Sequence, residues 1–317
     1  MIIRRLLCSA VLLTVVSVQF ACSVNPATGK LSYTRLSWEE EKALGLDAAP
    51  QFIEQYGGEF PDPDVRAYVD RIGTRLVAQV EAGVPDLDWE FTLLNSESIN
   101  AFALPGGKVF ITRGLAVRLG NEAEMAGVLG HEIGHVTARH ANQRMSKQGL
   151  IDGGIGLVVA AVDASDSKLK DYTDIGVPAL EVGRDLLLLK YGRDEESEAD
   201  MLGMRYMHLA GYDPASQRRV MEVLMQAGAG QPRQIEWLAT HPFPETRIER
   251  IDRILAERYP NAAQDSSLII NEREYERIIL RPLRSAAHPP ARAVPDSISA
   301  AMLAHRTCCP AHGAAIP

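Results

Sequence analysis

The chain has 317 residues, 46% hydrophobic and 23% charged, and its 33 Lys+Arg against 41 Asp+Glu leave a net charge of -8. That composition fits a globular chain of one or two domains; it excludes a collagen, a chain disordered throughout, a polytopic membrane protein and a protein that binds nucleic acid through bulk positive charge. The cysteines Cys8, Cys22, Cys308 and Cys309 all lie near the ends, so no disulfide framework staples the centre.

Residues 1–21 have the layout of a secretory signal peptide: Arg4 and Arg5 precede an apolar run from Leu6 to Phe20 that ends at Ala21-Cys22. The run is too short for a transmembrane helix. A small residue directly before a cysteine resembles a bacterial lipobox, with Cys22 as the lipidated new N-terminus, although Gln19 and Phe20 depart from its usual Leu and small residue. Residues 22–36 include the turn-prone Asn25-Pro26-Ala27-Thr28-Gly29 and are expected to form an N-terminal tether.

Helical patterning begins at Ser37, an N-cap with Glu40 in the capping-box position. A second helix is expected from Asp62 or Asp64, with Val65, Tyr68, Val69, Ile72, Leu76 and Val80 on one apolar face. Trp89, Phe91 and Leu93 alternate with polar residues as in a half-buried strand, and a second strand is expected at Lys108 to Thr112. Between them Asn100-Ala101-Phe102-Ala103 leads to Pro105-Gly106-Gly107, which forces a turn, so a small antiparallel sheet is expected. The fold class read from this pattern is α+β, mainly α-helical.

Residues 150–162 are apolar and glycine-rich and read as a buried helix or a flap; residues 163–174 are charged and loop-like. From Pro282 onward Pro, Ala and scattered His carry no helical or strand period, which is the composition of a disordered tail. The expected organisation is therefore a body over 37–260 and a C-terminal extension over 261–317. No repeat of the 34-residue tetratricopeptide kind, or of any other solenoid period, is present.

His131-Glu132-Ile133-Gly134-His135 places two imidazoles four residues apart, on one face of a helix and within reach of one metal ion. The helix has its own start signal in Asn121 with Glu124, and an apolar stripe in Met125, Leu129, Ile133 and Val136; Arg139, His140 and Arg144 fall towards its C-terminal end, where cations are favoured. A pattern of five residues arises by chance in roughly one chain in a hundred of this length, so a surface histidine pair is the ordinary alternative.

The second cluster shifts that balance. Arg193 to Asp200 opens a helix that stops at Gly211, and Glu196 and Asp200, four residues apart, share a face. An acidic first turn has an ordinary explanation in the helix dipole, but one of these carboxylates can ligate a metal while the other accepts a proton from a ligating imidazole. Gly203 on this helix and Gly127, Gly130 and Gly134 on the histidine helix allow close approach. Two imidazoles in the ligand set favour zinc over magnesium.

His-Glu-x-x-His followed by Glu-x-x-Ala-Asp resembles the gluzincin zinc metallopeptidases related to HtpX and the CAAX prenyl proteases, and within that group the exported bacterial BepA/LoiP-type peptidases. The likeness extends to Asn25-Pro-Ala-Thr-Gly29, Asn100-Ala-Phe-Ala103 and Thr240-His-Pro-Phe-Pro-Glu-Thr-Arg247. The resemblance implies that His131, His135 and Glu196 ligate one Zn2+, that Glu132 is the general base, and that Asp200 accepts a hydrogen bond from a ligating histidine. It also implies that His241 approaches the zinc as a removable fourth ligand or assists the transition state, and that Arg247 positions it or binds an oxyanion. In such enzymes substrate adds as an extended strand to an exposed edge, so the stretch Asn100 to Thr112 is expected to supply that edge, with Asn100, Ala101 and Phe102 as the edge strand.

The implied function is a zinc metalloendopeptidase of the periplasm, tethered to the outer membrane as a lipoprotein and cleaving unfolded or misassembled envelope polypeptides, with no nucleic-acid partner. The rival classes are a non-catalytic periplasmic chaperone that keeps the zinc site and a metal-storage or sensing protein. His305, Cys308, Cys309 and His312 lie in the expected disordered tail and make a poor second metal site.

Overall fold

The computed structural model describes residues 22–147, 190–230, 235–241 and 244–286. The signal segment, the glycine-rich stretch at 150–162 with its charged neighbour, and the tail with Cys308 and Cys309 lie outside these described residues. The rest is mainly helical with two small sheets, the expected α+β class.

The first sheet corrects the reading of residues 22–36 as a tether. β1 (Cys22–Val24) pairs antiparallel with β2 (Leu31–Tyr33). The connecting turn closes around Asn25, whose Oδ1 accepts from the backbone N–H groups of Ala27 and Thr28 and whose Nδ2 donates to Thr137 O at 2.9 Å. That buried amide fastens the segment to the body of the protein.

α1 (Trp38–Gln55) starts with the expected capping box, in which Ser37 Oγ accepts from Glu40 N and the Glu40 carboxylate accepts from Ser37 N. α2 (Pro63–Val77) starts at Asp62, which accepts from the N–H groups of Asp64 and Val65, and it buries Val65, Tyr68, Val69, Ile72 and Leu76.

The second sheet holds β3 (Glu90–Leu94), β4 (Ala101–Leu104) and β5 (Lys108–Thr112) in the order β3-β5-β4. The small antiparallel sheet expected here is mixed: β4 runs antiparallel to β5, while β3 and β5 are parallel. The reason is that the Asn-Ala-Phe-Ala segment is itself a strand. The chain reverses before β4 and again at Pro105-Gly106-Gly107, where both glycines have positive φ (78° and 97°), so β5 recovers the direction of β3. β5 is central and β4 forms an edge.

After the short α3 (Arg113–Ala116), α4 (Glu122–Thr137) is buried along its whole length. It ends earlier than the sequence suggested. Arg139 adopts φ 60°, and its buried guanidinium donates to Glu41 Oε1 (2.8 Å) and lies over the Trp38 ring. His140 and Arg144 therefore belong to a separate helix, α5 (His140–Lys147).

α6 (Arg193–Leu209) packs lengthwise on α4, and the glycines set the separation. A Cβ on Gly203 would stand 2.8 Å from both Gly130 C and His131 N. α7 (Ser216–Gly230), the single-turn α8 (Trp237–Thr240) and α9 (Pro244–Arg258) complete the shell around this pair. Order also continues beyond residue 260 and past 282. α10 (Glu272–Tyr275), a π-helical turn (Glu276–Leu280) and α11 (Arg281–Ser285) bury Tyr275, Ile279 and Leu283 in the main core, which gives this part of the extension a hydrophobic reason to fold. Among the described residues no helix is long and apolar enough to cross a membrane.

Candidate metal centre

α4 presents His131 and His135 on one face, and the first turns of α6 present Glu196 and Asp200 opposite them. The segment after α8 adds His241 from a third direction. Ligand atoms of His131, His135, Glu196 and His241 all lie within 4.8 Å of one another, and each residue is at most 3% exposed. His131 Nε2 is 3.0 Å from His135 Nε2, 3.3 Å from His241 Nδ1 and 3.5 Å from Glu196 Oε2. Glu196 Oε1 is 3.5 Å from His135 Nε2 and 2.9 Å from His241 Nδ1.

These separations fit a metal. Ligands at 2.0–2.1 Å from a tetrahedral zinc stand about 3.3–3.4 Å apart. The buried Glu196 Oε2 makes no hydrogen bond of acceptable geometry, although Arg247 Nη1 lies 2.7 Å away. The electrostatics agree. Burial, reinforced by Arg247, pushes His131 down to about 3 and keeps its imidazole neutral. Burial opposes the charge on Glu196, but His241 and Arg247 outweigh it and hold the carboxyl well below its usual range.

Asp200 lies beside His131. Its Oδ1 is 3.0 Å from His131 Nδ1. Arg247 Nε donates to Asp200 Oδ2 at 2.8 Å, and the guanidinium lies over the Trp237 ring at 4.7 Å. Burial works against ionisation of Asp200, but Arg247 and His131 hold it below the ordinary carboxylate range. Glu132, by contrast, is pushed up to about 7 by burial, with Glu196 adding to the effect. Its Oε1 is 3.7 Å from His241 Nε2.

The segment Asn100, Ala101, Phe102 leads into β4, an edge strand of the sheet among the described residues. Trp237 links this segment to the centre: its N–H donates to Ile99 O (3.2 Å), its Nε1 lies 3.5 Å from Glu132 Oε1, and its ring stacks on His241.

Four neighbours escaped the sequence reading. Trp237 stands four residues before His241, a spacing that puts both on one helical turn. Gln217 Nε2 donates to Asp200 Oδ1 at 3.0 Å. Tyr191 packs its ring 4.0 Å from that of His135. His140, read only as a cation near a helix end, places Nδ1 2.9 Å from His135 Nδ1, and burial pushes its pKa down.

Residues 63–255 match the model of peptidase family M48. The chain is 29% identical over 234 residues to the mitochondrial metalloendopeptidase OMA1 of Schizosaccharomyces pombe, covering 73% of this chain and 66% of that protein. It is 30% identical over 231 residues to the beta-barrel assembly-enhancing protease of Escherichia coli (70% and 45%), and 27% identical over 239 residues to the mitochondrial metalloendopeptidase OMA1 of Bos taurus (73% and 46%). The matched region thus spans about half to two thirds of these relatives' own lengths. With the family match covering the whole histidine and carboxylate cluster, the chain belongs to peptidase family M48.

Proposed function

We propose that the chain is a zinc metalloendopeptidase of the bacterial cell envelope, holding one Zn2+ on His131, His135 and Glu196. The observation that carries this reading is the convergence of two imidazole nitrogens and a buried carboxylate beside the Glu132 carboxyl. Zinc held in this way supplies a Lewis acid that polarises the scissile carbonyl and lowers the pKa of water.

Glu132 takes the proton of the attacking water and returns it to the leaving amine; a carboxyl tuned towards neutrality suits both transfers. His241 is the removable fourth ligand, since its ring reaches both Glu196 and Glu132 from a short segment outside the two main helices. Arg247 is assigned to positioning, because its Nε and Nη2 both donate to Asp200 and its Nη1 lies 2.7 Å from Glu196 Oε2.

β4 is the docking edge for substrate. Thr112 N donates to Asn100 O at 3.0 Å, so residues 100, 102 and 104 bond to β5 while the backbone groups of Ala101 and Ala103 turn to the free side. A site that reads backbone in this way suits extended, unfolded or misassembled envelope polypeptides.

Export, a periplasmic location and an outer-membrane lipid anchor on Cys22 are supported by the layout of residues 1–22 and by the relatives named for beta-barrel assembly. The OMA1 relatives are named for mitochondria, so labelling with a palmitate analogue, wild type against Cys22→Ala, tests this part; an unlabelled wild type overturns it.

The activity is tested with the full chain by measuring zinc content and hydrolysis of casein on one sample. About one zinc per chain with cleavage supports the reading. If the wild type holds zinc but is silent while His241→Ala cleaves, His241 closes the site. If zinc is bound and no variant cleaves, the chaperone alternative takes over.

A further inference from the structure

The two histidines of α4 are supported in different ways. His131 has the Asp200 carboxylate at its outer nitrogen. At the outer nitrogen of His135 stands another imidazole.

We propose that His140 and Glu198 form a positioning pair that fixes the tautomer and ring orientation of His135 and so sets the strength of metal binding. The inference rests on His135 being a metal ligand, as read above. His135 Nε2 faces the ligand cluster and must present a lone pair there, which puts its proton on Nδ1. That N–H points at His140 Nδ1, 2.9 Å away. His140 Nδ1 must therefore be the bare acceptor, and its own proton sits on Nε2, which donates to Glu198 Oε2 at 3.2 Å. Glu198 is held at its other oxygen by Lys30 Nζ, 2.7 Å away, in the turn of the N-terminal hairpin.

The relay exists because the backbone turns at Arg139. That break starts a new helix at His140 and brings its ring edge-on to His135, with centroids 4.9 Å apart. His140 is 1% exposed, so bulk water does not stand in for it. The two tautomers are linked. If Glu198 is lost, the His140 proton gains by moving to Nδ1, where it faces His135 Nδ1 and drives the His135 proton to Nε2, the nitrogen the metal needs. If His140 is lost, the His135 Nδ1–H is buried without an acceptor and the same wrong tautomer is favoured.

The test is the zinc affinity of the full chain, measured by competition with a chromogenic chelator, together with the visible spectrum of the Co2+-substituted protein. His140→Phe keeps the ring and removes both nitrogens; zinc binding is expected to weaken by roughly 10- to 100-fold, with a changed cobalt spectrum. Glu198→Leu, at the rim of the site, is expected to weaken it in the same direction and serves if His140→Phe does not fold. His140→Asn places Oδ1 where Nδ1 was, and is expected to restore affinity to within about threefold of wild type and to restore the spectrum. Wild-type affinity in Glu198→Leu or His140→Phe overturns the proposal, as does an Asn variant as weak as the Phe variant, which would mark packing alone. A wild type that binds no zinc overturns the metal-centre reading itself.

Discussion

Asp200 joins a metal-site histidine to a buried cation: its Oδ1 is 3.0 Å from His131 Nδ1, and its Oδ2 accepts from Arg247 Nε at 2.8 Å. Both partners are 1% exposed. Asp200→Ala therefore leaves Arg247 short of one of its two carboxylates and is expected to cost about 3–5 kcal/mol. Urea unfolding of the metal-free protein measures this; a loss under about 1 kcal/mol would mean that the pair carries little.

The approach of α4 and α6 is set by glycine. Gly203→Ala forces a Cβ to 2.8 Å from the backbone of Gly130 and His131 and is expected to destabilise by roughly 1–3 kcal/mol while shifting His131 relative to Glu196. Gly228→Ala meets only side-chain atoms at 3.4 and 3.6 Å, within a helix, and is expected to be neutral or stabilising. Equal denaturation midpoints for the two variants would contradict the packing argument.

Acid works against folding through His131. Burial and Arg247 lower it from 6.5 to about 3, so between those values the unfolded chain binds a proton that the folded chain does not. Stability of the metal-free protein is expected to fall as pH is lowered through that window, and His131→Asn to flatten the fall. Denaturation midpoints at several pH values provide the check.

Glu132 titrates in the opposite sense. Its folded value stands near 7 against an ordinary 4.5, so the stability present below 4.5 is lost as pH rises towards 7. Metal-free Glu132→Gln is expected to match wild type at pH 4 and to exceed it at pH 8. If wild type is the more stable at pH 8, this carboxylate is not strained by burial.

Local signals carried much of this architecture. Ser37 with Glu40, Asp62 and Asn121 mark their helix starts because capping is settled within a few residues. His131, His135, Glu196 and Asp200 were legible for a similar reason: spacing on one helix decides which side chains share a face. The missing parts depend on distant partners. The parallel pairing of β3 with β5 needs the chain to reverse before Ala101–Leu104 as well as at Pro105-Gly106-Gly107, and only the second reversal carries a local signal. The place of His140 depends on the turn at Arg139, whose side chain is held by Glu41, nearly a hundred residues earlier in the chain. Asn25 likewise reads as a loop residue until its contact with Thr137 is known.

The role of Glu132 is the centre of the reading, and its most direct test is casein hydrolysis by wild type and Glu132→Gln, each with its bound zinc quantified. The amide keeps the size of the side chain and removes only the base, so zinc content is expected to stay near one per chain while the rate drops by about 100-fold or more. A Glu132→Gln protein that retains zinc and cleaves at the wild-type rate would contradict it.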